Sequence, residues 1–169
     1  MANNGKFLNL ENGKKKLDDA INSSAGVADA GKIIKLDANG KVDLTLLPSG
    51  IGDDAVEIIT FEDVAAGDFV NIFDDGGIGK IRKADATNGR DANGFVLESA
   101  VSPAPVKVFF EGTNSQLSGL TIGDRYYLDA AGAVTNVPKT GSGELHQYLG
   151  KAFSATEITT EKDDCVVIG

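Results

Sequence analysis

From Ala55 onward, the sequence alternates apolar and polar residues in short runs, and clusters of glycine, aspartate and asparagine separate these runs. In one run, Val106, Val108 and Phe110 fall on the same side of an extended chain. Such runs at close intervals are typical of β-sandwiches and small barrels, and no helical period of useful length competes with them. The sequence therefore predicts an all-β domain over residues 54–169, a small antiparallel barrel or sandwich of about eight to ten strands.

The predicted strands of this domain are bounded by turn-forming residues. Glycine accounts for 21 of the 169 residues, which fits a chain with many turns. The predicted strands are residues 56–61, 69–72, 78–83, 94–98, 106–111, 125–128, 133–137, 146–153 and 164–168. We expect Cys165, the single cysteine, to be a buried thiol in the last of them.

One phrase recurs along the chain. LDANGKV at residues 36–42 returns as LDAAGAV at residues 128–134, and DANG occurs again at residues 91–94. Asparagine and glycine tolerate positive φ, so a tight turn between two strands is the natural interpretation. We predict that these phrases form hairpin corners, including a small hairpin in the N-terminal part of the chain.

Residues 1–53 have a different character. Leu17, Ala20 and Ile21 follow the spacing of one helix face, which predicts a short helix that needs a packing partner. The large apolar residues that follow are too few for a core and too many for a solvated linker. This pattern indicates an extended arm with a short helix that buries its apolar side chains against another chain.

Charge separates the two parts of the chain. Residues 1–53 carry seven lysines and seven acidic residues, whereas residues 54–169 carry nine basic and eighteen acidic residues, so the whole net charge of −9 lies in the second part. An acidic surface repels the nucleic-acid backbone and neighbouring copies of itself, so we expect no nucleic-acid partner. No apolar run has the length of a signal peptide or a membrane span, so we expect a soluble protein without a membrane partner.

Catalytic and metal-binding motifs are not found. His146 is the single histidine, which leaves no nucleophile–histidine pair at a recognisable spacing and too few ligands for zinc. DANG places its glycine at the fourth position rather than the sixth position of a calcium loop, so turn capping is favoured over calcium. Residues 74–81 lack the first glycine and the Ser/Thr of a phosphate-binding loop. We expect no enzymatic activity, cofactor or metal.

Several phrases together resemble accessory virion proteins of tailed bacteriophages, of the head-fibre or capsid-decoration type. Residues 29–43, continuing to Leu46-Leu47-Pro48, are similar to segments that precede globular domains in phage fibre and decoration proteins. Other parts resemble the small β-domain of such proteins: residues 66–70, 94–96, 119–128 and 149–152.

This resemblance implies a non-enzymatic homotrimer on the capsid exterior, made in the host cytoplasm. The arm would dock on the major capsid protein, and the β-domain would project outward. The residues predicted to anchor the arm or to form trimer contacts are Phe7, Leu8, Leu10, Leu17, Ile21, Ile33, Ile34, Leu36, Leu44, Leu46 and Leu47.

Two alternatives stay open at this point. One is a tail-fibre or receptor-binding module that contacts a bacterial surface ligand through loop tips at residues 74–79 or 112–116. The other is a hydrolase of cell-surface polymers, for which the sequence nominates no acid pair.

Overall fold

The computed structural model describes residues 6–43, 46–47 and 54–169, and these divide into two compact units, Met1–Gly52 and Asp53–Gly169. The described secondary structure is all-β apart from 3-10 conformation at Val27–Asp29 and at Leu46. The strands are β1 Lys6–Glu11, β2 Lys14–Asp19, β3 Ala55–Thr60, β4 Phe69–Asp74, β5 Gly79–Lys83, β6 Gly94–Val96, β7 Pro105–Phe109, β8 Gly112–Asn114, β9 Arg125–Leu128, β10 Val134–Thr135, β11 Leu145–His146, β12 Tyr148–Ala152, β13 Ile158–Thr160 and β14 Val166–Val167.

Five strands of the second unit close into a barrel in the order β3-β5-β4-β6-β7. Four neighbouring pairs are antiparallel, but β3 and β5 pair in parallel through Ile59↔Lys80 and Thr60↔Ile81. The predicted all-antiparallel arrangement was therefore wrong at this closure. Buried Val70, Ile81 and Val108 belong to an apolar cluster that inward-facing residues of these strands form.

A second sheet lies beside the barrel in the order β10-β9-β12-β13-β8, and β11 pairs with β14 in a small third sheet. A second apolar cluster joins Phe69 and Phe95 of barrel strands to Leu128 and Leu149 of the second sheet. A third, smaller cluster is centred on Tyr126 and Ile158. The barrel therefore buries residues on both its inner surface and part of its outer surface, which joins the two sheets into one unit.

Strand 125–128 is found at its predicted position, most other predicted strands recur with small shifts, and predicted strand 146–153 is divided into β11 and β12. The second unit contains twelve strands rather than eight to ten. No strand was predicted at β13, and the residues of β8 were predicted to form a turn. The prediction for Cys165 was also wrong, since this thiol precedes β14 and is exposed. β14 lies at the edge of a two-stranded sheet, and Val166 and Val167 are exposed there. The apolar run that contains Cys165 is therefore not a core strand.

The first unit contains a hairpin where the sequence predicted a short helix. Residues Lys14–Asp19 form β2, which pairs with β1 across the two-residue turn Asn12-Gly13. Both turn residues have positive φ, 52° and 75°, which is the geometry that matches the twist of a tight hairpin. The helical spacing of Leu17, Ala20 and Ile21 was overridden because this turn fixes strand pairing over six residue pairs.

The recurring phrase has three different outcomes. At residues 128–134 it forms the predicted hairpin corner between β9 and β10. At residues 36–42 it forms a tight turn closed by the amide of Asp37 and the carbonyl of Lys41 (2.8 Å), but no strand flanks it in the described part of the chain. At residues 91–94 it is a loop that leads into β6 rather than a hairpin corner.

Candidate docking surface

The first unit has no core of its own among the residues that the structure describes. In residues 6–43 and 46–47, none of the side chains whose burial is described is buried. The second unit, in contrast, buries eighteen hydrophobic residues, from Val64 to Ile158. A two-stranded hairpin without a covered apolar face is at best marginally stable in water. The described part of the first unit therefore leaves its large apolar side chains without a core of their own.

The hairpin presents its leucines on one face. Leu8 lies directly opposite Leu17, and Leu10 lies two residues further along the same face of β1. These three side chains are 60%, 61% and 68% exposed, respectively. The ion pair between Lys6 and Asp19 (2.7 Å) borders them at the end away from the turn. We call Leu8, Leu10 and Leu17 the leucine face.

The opposite face of the hairpin is polar and partly covered. Phe7 lies there opposite Asp18, and both are half-buried. The side chain of Asn9 donates a 3.0 Å hydrogen bond to Asp18, and this bond, followed by Lys16, lowers the pKa of the Asp18 carboxyl below its ordinary value. Ala30, Gly31 and Lys32 line a cavity with hairpin residues of both faces, including Asp18 and Leu10. Phe7 shares its face with Asn9, Lys16 and Asp18, so the leucine face is the more apolar side of the hairpin.

The rest of the first unit is held by backbone bonds and turns. Ile21 and Ile34 form a parallel bridge in which the amide of Ile21 donates to Ile33 (2.9 Å) and the amide of Lys35 donates to Ile21 (2.8 Å). The carboxylate of Asp37 accepts the amides of Asn39 and Lys41, each at 2.8 Å. These bonds lower the pKa of Asp37, with the Lys41 amide as the largest cause.

The predicted anchor residues differ in the face they occupy and in their exposure. Leu8, Leu10 and Leu17 share one face of the hairpin, whereas Phe7 is on the other face. Ile33 and Ile34 are each 50% exposed, and Leu36 is also exposed. Besides Phe7, three of the predicted anchor residues are half-buried: Ile21, Leu46 and Leu47. Leu44 lies outside the described residues.

Sequence reasoning left two exposed apolar residues out of this set. Val27, in the 3-10 turn, is 94% exposed, and Val42 is also exposed. Val42 could have been included from its place in LDANGKV, but Val27 stands alone between small residues and carries no periodic signal.

The second unit carries one exposed aromatic patch on its barrel. Phe61 is 53% exposed and meets Phe73 edge to face at a ring-centroid distance of 5.2 Å. The guanidinium of Arg82 lies over the Phe73 ring at 4.4 Å, and its Nε donates to Asn71 at 2.9 Å. Ile78, at the β4–β5 turn, is also exposed. This patch adjoins residues 74–79, one of the two loops predicted as a contact tip.

The other predicted loop, residues 112–116, is not a free tip. Gly112–Asn114 form β8, and Asn114 is fully buried with its amide donating to the carbonyl of Gly67 at 2.8 Å. The loop assignment was therefore wrong at residues 112–114, and Asn114 is not available for ligand contact because it has a structural partner in another loop.

Two open polar clefts of the second unit meet at Lys162. One is bordered by Asp54, Glu111 and Glu161, and the other by Asp91 and Asp163. Desolvation lowers the pKa of Lys162, and the neighbouring carboxylates oppose this shift; its ammonium donates to the backbone carbonyl of Asn93. Among the described residues, no group of three or more His, Cys, Asp or Glu is arranged to hold a metal ion.

Comparisons with known proteins add no family assignment. No protein-family model matches the chain, and none of the curated proteins is significantly similar to it. In the part of the chain that the structure describes, no helix has the length and apolar character to cross a membrane.

Proposed function

We propose that this protein is a structural virion protein that decorates the capsid of a tailed bacteriophage, as a homotrimer. Residues 1–53 are the arm that docks on the major capsid protein, and residues 54–169 are the outward β-domain. The protein has no catalytic role in this proposal, and it acts on the capsid exterior after synthesis in the bacterial cytoplasm.

The contrast between the two units supports this proposal most directly. The described arm has no buried side chain but exposes large apolar residues along its length, whereas the second unit is packed around three apolar clusters. Contiguous exposed apolar surface marks an interaction site in soluble proteins. An arm that packs only against a partner and a domain that folds by itself fit a protein that attaches to a larger particle.

The charge distribution agrees with this arrangement. Residues 1–53 have equal numbers of acidic and basic residues, and the net charge of −9 belongs to residues 54–169. Negative charge on the outward domains keeps neighbouring copies soluble and apart, while the neutral arm can approach a capsid surface without a net repulsion.

The proposal is tested by binding of the full-length protein to purified capsids that lack accessory proteins. We expect Ile33→Asp/Ile34→Asp to weaken co-sedimentation by about 100-fold, because two apolar contacts are replaced by charges. Ile122→Asp/Val137→Asp is the matched control, since these residues of the second unit are also well exposed. Equal binding by both double variants would remove the anchor assignment.

The aromatic patch of the barrel favours a second candidate, a tail-fibre or receptor-binding module that contacts a bacterial surface ligand. Immunogold labelling of virions with an antibody to residues 54–169 separates the two functions. Label over the heads agrees with decoration. Label at the tail, with adsorption to cells lost in Phe61→Ser/Ile78→Ser, would favour the second candidate.

A further inference from the structure

We propose that three copies of the hairpin β1–β2 close into a six-stranded antiparallel barrel around the trimer axis, with the leucine face inside. This inference rests on the homotrimer of the proposed function and assigns its self-contact to one surface. The anchor contacts then fall to the rest of the arm, from Ile21 onward. The occupant of the leucine face is thus a second and a third copy of this chain.

The hairpin leaves two kinds of group without a partner among the described residues. The first kind is the apolar side chains of the leucine face. The second kind is the backbone N–H and C=O groups along the two outer edges of the hairpin, since no third strand pairs with β1 or β2. In a two-residue hairpin, the pairs that exchange hydrogen bonds begin next to the turn and alternate along the strands. The backbone groups of Leu8, Lys15 and Leu17 therefore point outward from the edges.

A closed ring of three hairpins satisfies both groups at once. Rotation about an axis along the strands places β2 of one copy beside β1 of the next, and these run antiparallel as in the hairpin itself. Closure removes every sheet edge, and small barrels are filled by their inward side chains. A single hairpin cannot cover its own face, which explains why none of the described side chains of this unit is buried.

The layers of side chains fit this geometry. Leu8 and Leu17 lie opposite each other, so three copies contribute a central layer of leucines. The ion pair of Lys6 and Asp19 falls at one mouth of the barrel, and Lys15 opposite Leu10 falls at the other. Charged groups thus lie where water reaches them, and the apolar layer lies between them.

Charge favours copies of this chain as the partners. The arm carries seven basic and seven acidic residues, so three arms meet without net repulsion, whereas three copies of the second unit repel one another. One edge group needs a rearrangement: the amide of Leu10 donates to the side chain of Asn9 at 2.8 Å. Rotation of the Asn9 side chain frees this amide for the next copy.

The first measurement is the mass of the full-length protein in solution by light scattering. We expect three times the 17.5 kDa chain mass. Leu17→Asp should give a single-chain mass, because the carboxylate would lie in the central apolar layer. Ile33→Asp should remain trimeric, and circular dichroism should show that both variants keep the fold of the second unit. A single-chain or dimeric wild-type mass, or a trimeric Leu17→Asp variant, would overturn the inference.

Hydrogen exchange distinguishes the closed barrel from leucine faces that simply stick together. In the barrel, the outward amides of Leu8 and Leu17 become hydrogen-bonded to the neighbouring copy. We therefore expect both amides in the wild-type trimer to exchange at least about tenfold more slowly than the Leu8 amide of the Leu17→Asp variant. A trimer in which these amides exchange as fast as in the variant would overturn the barrel.

Capsid binding separates failure of this inference from failure of the proposed function. A wild-type monomer that still binds capsids would overturn the barrel and leave decoration intact. A trimer with the expected exchange pattern that does not bind capsids would support the barrel and contradict decoration.

Discussion

Gln147 joins two loops of the second unit through its side-chain amide. Its Oε1 accepts the amide of Ala92 at 2.7 Å, and its Nε2 donates to the carbonyl of the same residue at 3.0 Å. The side chain is buried, so both bonds replace water that cannot reach the site. A buried residue with two such bonds fixes the loop before β6 against the junction between β11 and β12.

Gln147→Glu tests this role with almost no change in shape. At neutral pH the carboxylate would face the Ala92 carbonyl without a proton to donate, so we expect a loss of about 2–3 kcal/mol in the free energy of unfolding. Gln116→Glu, at an exposed position, is the control and should be within about 0.5 kcal/mol of wild type. Urea unfolding measures the stability of both variants. An unchanged stability for Gln147→Glu would mean that the two hydrogen bonds between Gln147 and Ala92 do not stabilise the fold.

Gly150 is a position where a single added carbon atom, the Cβ of alanine, should lower stability. It lies at a register shift between β12 and β9, and a Cβ there would lie 2.1 Å from the carbonyl oxygen of Thr159. We expect Gly150→Ala to destabilise the protein by about 2–3 kcal/mol because the backbone of β13 must move. A Cβ at Gly79 meets nothing within 4 Å, so Gly79→Ala is the matched strand control in the same unfolding experiment. Equal urea midpoints for Gly150→Ala and Gly79→Ala would contradict the close approach of Gly150 to Thr159.

The turn at Asp37 is expected to depend on pH. Its folded pKa lies below the ordinary value of 3.8, so its hydrogen bonds stabilise the turn above that pH and are lost as pH falls through the folded pKa. We expect the amide signals of Asn39 and Lys41 to shift in NMR spectra on acidification below 3.8. Asp37→Asn should abolish that titration, and a titration that persists in this variant would assign the shift to another group.

At the scale of elements, the Asn12-Gly13 turn decides that the start of the chain is a hairpin. Both residues occupy the left-handed region, and the six residue pairs that follow place the leucines on one face. The leucine face exists only while this register holds, because a slip of one residue would move every side chain to the other face.

Gly13→Val should therefore remove the hairpin. A β-branched residue with φ near 75° costs about 1–2 kcal/mol, which a hairpin without its own core cannot absorb. In NMR spectra, we expect loss of the cross-strand contacts between Leu8 and Leu17, whereas signals from the second unit stay unchanged. Gly40→Val strains a turn outside the hairpin and should keep these contacts. If the Gly13 variant also keeps them, the turn does not control the register.

At the scale of the whole molecule, the two units should differ in local stability. The barrel residues Val70, Ile81 and Val108 are fully buried, whereas no described side chain of the arm is buried. Backbone groups without a core above them open at little cost in free energy.

Hydrogen exchange should show this difference in the Leu17→Asp variant, where self-association is removed. We expect the amides of β4 and β5 to exchange with a free energy near that of global unfolding, and those of β1 and β2 to exchange at least about 100-fold faster. Equal protection in both units would mean that the arm has a core that its described residues do not show.

The sequence by itself determined the all-β class of the second unit, because alternation along strands such as Arg125–Leu128 and glycine-rich turns are local properties. It also indicated where apolar residues lack a core. The Asn12-Gly13 signal was present in the sequence, but the helical spacing around Leu17 obscured it.

Only the tertiary structure decided the rest. The parallel pairing of β3 with β5, the buried partner of Asn114 and the exposure of Cys165 depend on which strands become neighbours. The grouping of Leu8, Leu10 and Leu17 likewise depends on register, which the turn and the strand pairing fix together. Contacts between residues far apart in sequence follow from chain topology, and a pattern of single residues along the chain does not specify it.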